Sequence, residues 1–164
     1  MTLLGTIQHF YASGLGLMLC SPEAVEGLAP GSDTMPRGGE LREPLRSLVQ
    51  SQRVVFLQTG SPQLYYDLEV HDEPPPAAGA AARCRFGLRI EGGALWVRDG
   101  YDPMEWEAMP DSLKPVPVRD GDYAVDACWI KAENDGVMKI TLHFIADPMP
   151  PVGTDWPKLL YQAL

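Results

Sequence analysis

The sequence predicts a mainly β protein, an antiparallel β-sandwich with one or two short helices. Three observations point there. Apolar and polar residues alternate with a period of two in several short runs about ten residues apart, as half-buried strands require. Glycine and proline contribute 16 residues each to the 164, roughly 20% against about 12% in average proteins, so turns are frequent. Helical patterns are too few to cover both faces of a parallel sheet.

Leu3 to Ala12 and Leu15 to Cys20 are short apolar segments split at Ser13-Gly14, which suits a hairpin or one bent strand. Residues 21–44 hold Pro22, Pro30, Pro36 and Pro44 with Gly27, Gly31, Gly38 and Gly39, a long connection. A helix of two or three turns can follow Glu43-Pro44, because proline at the first helical position loses no hydrogen bond and Leu41, Leu45, Leu48 and Val49 share one face. RVVFLQT (53–59) reads as a buried strand. After Gly60-Ser61-Pro62, QLYYDLEVH (63–71) sets Tyr66, Leu68 and Val70 against Tyr65, Asp67 and Glu69.

The Pro/Ala-rich stretch 72–83 has three consecutive prolines and forms neither ladder nor packed face, so it is an exposed loop inside one domain spanning 1–164. CRFGLRI (84–90), a Glu91-Gly92-Gly93 turn and ALWVR (94–98) predict a tight hairpin. DYAVDACWIK (122–131), an Asn134-Asp135-Gly136 turn and VMKITLHFI (137–145) predict a second. The tail TDWPKLLYQAL (154–164) has a capping residue, Pro157 in the first turn and a leucine edge, the pattern of a short helix.

Thirteen basic against 22 acidic residues give a net charge of −9, which opposes phosphate backbones and anionic lipid. Neither nucleic acid nor a membrane is expected as partner; the oligomeric state is open. The apolar N-terminus has no basic residue before Arg37 and is interrupted by glycine, so neither a signal peptide nor a spanning helix is indicated, and a cytoplasmic location is expected. Cys20, Cys84 and Cys128 have no paired spacing and read as buried thiols.

No GxSxG elbow marks a nucleophile, and Gly14-Leu15-Gly16 lacks the third glycine of a dinucleotide cradle. His9, His71 and His143 are isolated along the chain, without HExxH spacing. No catalytic residue, metal or cofactor is assigned.

DGYDPMEWEAMPD (99–111) is the most unusual stretch, its five acids crowding around aromatic and methionine side chains with no Lys or Arg among residues 99–111. Residues 99–135 hold ten acids and three bases, a net −7, so nearly all of the charge lies there. A solvated acidic loop is the plain reading. The functional one is a partner-binding face of Asp99, Tyr101, Asp102, Glu105, Trp106, Glu107 and Asp111, with carboxylates steering a basic protein and the rings anchoring it. Asp99, Asp102 and Glu105 also offer oxygen ligands for calcium, but not at EF-hand spacing.

"YYDLEVH", "LWVRDG", an acidic segment and "VPVRDGDYAVDACW" follow one another in an order that resembles the competence protein J family and similar immunity-type β-sandwich proteins. The matching features are Tyr66 to Val70, Phe86 to Arg98 and Val116 to Trp129, roughly a third of the chain. The resemblance implies a β-sandwich and an inhibitor of a DNA-entry nuclease. The expectation is therefore a non-enzymatic, acidic inhibitor or immunity protein against a basic nuclease or toxin. The alternative is a small-ligand-binding or hydrolytic β domain whose site is built from histidines and carboxylates.

Overall fold

The computed structural model describes residues 2–31, 33–34, 40–60, 63–104, 106, 115–130, 137–153 and 156–159. Its strands are β1 (Leu3–Ala12), β2 (Gly16–Cys20), β3 (Val54–Gln58), β4 (Leu64–His71), β5 (Ala82–Ile90), β6 (Ala94–Asp99), β7 (Val116–Pro117), β8 (Gly121–Ile130) and β9 (Val137–Ile145), with a helix α1 (Leu45–Gln50). A five-stranded sheet, β1-β4-β9-β8-β5, faces a four-stranded one, β3-β2-β6-β7. The mainly β sandwich read from the alternation is the fold.

The period of two also divides the core. In β2, Leu17 and Leu19 join the cluster between the sheets, while Met18 and Cys20 point the other way into a second cluster. Val55 and Leu57 of β3 and Leu95 and Val97 of β6 fall on the first side; Val54, Phe56 and Trp96 fall on the second. The second cluster is closed by Val25, Leu28, Leu45 and Leu48, so the described parts of the long connection, 21–31 and 40–44, with α1 lie as a third layer over the outer face of the four-stranded sheet. That layer explains why β2, β3 and β6 read as continuous apolar runs: they are buried on both faces. Leu45 and Leu48 turn one face of α1 inward, as their spacing predicted.

Three expectations are corrected. The segments on either side of Ser13-Gly14 are not a hairpin, since β1 pairs with β4 and β2 with β3 and β6; the chain crosses between the sheets there. Nor do β5 and β6 pair. β5 runs along β8 from Ala82↔Trp129 to Ile90↔Gly121, and Gly92 and Gly93, both at positive φ, carry the chain across to β6 in the other sheet. A tight turn permits either outcome, and β6 crosses because both of its faces find apolar cover. β4 and β9 pair in parallel, the exception in an otherwise antiparallel sheet. Finally, 156–159 is extended: Lys158 bridges Gln58 in parallel, the Leu159 N–H donates to the Gln58 carbonyl and Leu159 is buried, so no helix forms there. The remainder of the predicted tail helix lies outside the described residues.

The β8–β9 hairpin is present in antiparallel register, Ala124↔Ile145 to Ile130↔Lys139, its turn falling outside the described residues. Residues 72–81 form neither strand nor helix, whereas Ala82 and Arg83, assigned by composition to the 72–83 loop, already belong to β5 and pair with β8. Among the described residues, no helix is long and apolar enough to cross a membrane.

Candidate functional site

The acidic segment starts where β6 ends, beside the corner at which β1 passes into β2. Asp99 is consumed by that corner. Its Oδ2 accepts the Ser13 N–H and hydroxyl, each at 2.7 Å, and its Oδ1 accepts the N–H groups of Gly14 and Tyr101, each at 3.0 Å. A carboxylate that satisfies four donors holds two crossing chains together, because a backbone corner otherwise leaves its N–H groups unpaired. Tyr101, 43% exposed, lays its ring against the α-carbon of Gly14, and Leu15 beside it is exposed as well.

Arg98 turns inward. Its side chain is 1% exposed, its Nε donates to Asp102 Oδ2 at 2.8 Å, and its guanidinium carbon lies 3.9 Å from the centroid of the Trp106 ring and 5.6 Å from that of Trp96. A guanidinium is the cation best suited to such a place, being planar and weakly hydrated. Burial raises the Asp102 carboxyl above its ordinary value, and the Arg98 hydrogen bond and charge pull the other way. Trp106 is 2% exposed and belongs to the second core. Its carbonyl accepts the Gly31 N–H, and the Pro103 carbonyl accepts the Thr34 N–H. Residues 98–104 and Trp106 are therefore a strap woven into the third layer. The expected contact ring at Trp106 is corrected to a core ring, because the apolar cover over Phe56 and Trp96 has to come from somewhere and the strap supplies it. Glu105, Glu107 and Asp111 lie outside the described residues.

This end of the sandwich carries more exposed rings than the sequence suggested. Tyr11, next to last in β1, pairs opposite Tyr65, second in β4, and both are exposed, as are Leu15 and Tyr101 at the corner. The strand alternation holds the missed signal: Tyr11 and Tyr65 fall on the outer phase of their strands, where none of the described residues buries an aromatic ring.

Of the three histidines, the fold brings together two. His71 and His143 stack at 4.9 Å between centroids and 11° between planes, on the outer face of the five-stranded sheet beneath the 72–81 loop. His143 Nδ1 donates to the Glu73 carbonyl at 2.8 Å, and its Nε2 pairs with the Thr141 hydroxyl at 3.0 Å. Burial is the first cause that lowers its pKa. His71 Nε2 donates to Glu69 at 3.1 Å, while Asp126, opposite His143, is taken by a two-pronged bond from Arg85. His9 stands apart, against Asp67. Among the described residues no group of three histidine, cysteine or carboxylate side chains is arranged to hold a metal. The cysteines are free, and burial pushes the Cys20 and Cys84 thiols up to about 12, far from thiolate chemistry at neutral pH.

No family model and no curated protein matches the chain. Solved structures share the fold. The structure titled "Crocagin biosynthetic gene J" is 13% identical with a TM-score of 0.53, covering 87% of this chain and 98% of its own. That of ComJ from Bacillus subtilis, an inhibitor of the DNA degrading activity of NucA, is 5% identical with a TM-score of 0.50, covering 88% and 96%. At these identities the likeness is one of fold, and it agrees with the resemblance carried by the sequence.

Proposed function

We propose that this chain is a non-enzymatic binding protein, an inhibitor or immunity protein that occludes a basic nuclease or toxin with the acidic, tyrosine-bearing end of its sandwich. The observation that carries the reading is the exposure of Tyr101 and Leu15 at the Asp99 corner and of the paired rings of Tyr11 and Tyr65 on β1 and β4, on a fold it shares with a nuclease inhibitor. Exposed tyrosines offer large, rigid contact area at small entropic cost, and the surrounding negative charge accelerates encounter with a basic partner. Asp99, Tyr101 and Asp102 form its described part, and Glu105, Glu107 and Asp111 extend its charge along the chain.

The test is affinity purification of the tagged chain from its native host, followed by an activity assay on what it captures. The expected result is a basic nuclease or toxin whose activity disappears at a stoichiometric amount of the chain. A captured protein that stays fully active at saturation, or the absence of any basic partner, overturns the reading.

A further inference from the structure

β1 is an edge strand with an irregular middle. Its register slips between Ile7 and Phe10, and His9 adopts φ of +53°, a left-handed conformation that non-glycine residues rarely take. Asp67 of β4 holds the bulge, its Oδ1 accepting the His9 N–H at 2.9 Å. The bulge turns an aromatic row outward: His9 lies edge-on to Tyr65 at 6.5 Å, and Tyr65 packs against Tyr11 at 5.1 Å. Tyr65 is 51% and Tyr11 46% exposed. Beside this row runs a groove of about 350 Å³ whose walls include Thr6, Gln8, Asp67, Glu69, Lys139 and Thr141. Asp67 and Glu69, two apart on one strand, share its face.

We infer that this groove receives an arginine or lysine side chain of a basic partner protein, with the row of Tyr65, Tyr11 and His9 lying alongside it and joined to its wall by the Asp67–His9 contact. Two carboxylates beside open aromatic rings are complementary to a guanidinium, which donates to the one and stacks on the other. The net charge of −9 draws the same partner and repels nucleic acid and anionic lipid. Bulges recur where an edge strand re-aims side chains, and backbone strain concentrates at ligand clamps. Lys139 is the opposing charge on the groove wall, so it weakens the interaction. The inference rests on the reading of the chain as the binder of a basic protein, and it names a surface that adjoins the Asp99 corner.

The test is a titration of the isotope-labelled full chain with a hexa-arginine peptide, followed by residue-resolved NMR, with maltohexaose as a neutral probe. The expected result is salt-sensitive shifts at Gln8, His9, Tyr11, Tyr65 and Glu69. Tyr65→Leu and Glu69→Gln, each checked for an unchanged melting temperature, should weaken peptide binding about tenfold or more, and Lys139→Ala should tighten it two- to threefold. Shifts confined to residues 99–102, equal binding by both variants, or shifts at the row with maltohexaose alone overturn it. If the patch binds the peptide but the chain inhibits no captured enzyme, the inhibitor reading fails and this surface stands; inhibition with a silent patch fails this surface alone.

Discussion

Trp106 separates a structural role from a contact role in a single substitution. Its ring is 2% exposed, sits in the cluster of Phe56, Trp96 and Leu28, and faces the Arg98 guanidinium at 3.9 Å. Truncating a buried tryptophan to alanine costs about 3–5 kcal/mol through lost transfer energy and the cavity left behind. The desolvated cation–π contact disappears with it, which places Trp106→Ala at the upper end, about 4–5 kcal/mol. That is a large share of the ~5–15 kcal/mol that holds a domain together. At about 2–4 °C per kcal/mol for a chain of this size, the melting temperature should fall by roughly 8–20 °C. Tyr101→Ala is the control, because a half-exposed ring at the corner contributes within about 0.5 kcal/mol. Thermal melts and urea unfolding of both variants, followed by near-ultraviolet circular dichroism, give the two numbers. In binding, the order should invert: at a temperature where both variants are folded, Tyr101→Ala should speed dissociation from a captured partner more than Trp106→Ala. A Trp106→Ala protein that melts within about 2 °C of the parent refutes the strap as part of the core.

Two further predictions rest on other parts of the fold. His143 has its pKa lowered from 6.5 by burial, so between the two values the unfolded chain binds more protons than the folded one; stability should be full above about pH 6.5 and fall as pH drops toward the lowered value. Urea midpoints measured at steps from about pH 7 to 5.5 should decline, and His143→Gln should flatten that slope, whereas a constant or rising midpoint in the parent contradicts the lowered pKa of His143. Gly16 meets the backbone of Leu57 so closely that an added Cβ would collide with its carbonyl oxygen, while Gly27 has nothing within 4 Å. Gly16→Ala should cost about 3 kcal/mol or more, and Gly27→Ala should be neutral to stabilising by about 0.4–1 kcal/mol, as denaturant unfolding will show.

What the sequence determined by itself is what depends on neighbours along the chain. Alternation placed the strands, proline and glycine placed the breaks, and three- and four-residue spacing placed Leu45 and Leu48 on the inner face of α1, because those signals come from backbone geometry within a few residues. The crowding of carboxylates after Arg98 was equally plain, as was the absence of nucleophile and metal spacings. Tertiary structure alone decided the rest. Whether β5 and β6 close a hairpin or part into two sheets depends on β8 and β2, which lie tens of residues away, and a Gly-Gly turn is compatible with both. The parallel pairing of β4 with β9 has no local signature, yet it is what sets His71 against His143. Trp106 looked like a ring stranded among acids, because in sequence its neighbours are Glu105 and Glu107. In space its neighbours are Arg98, Phe56 and Trp96, and the burial of that apolar face outweighs the polarity of the adjoining residues. The exposed row of Tyr11, Tyr65 and His9 follows from the same cause in reverse: their strands have an outer phase, and no segment of the described chain folds over it.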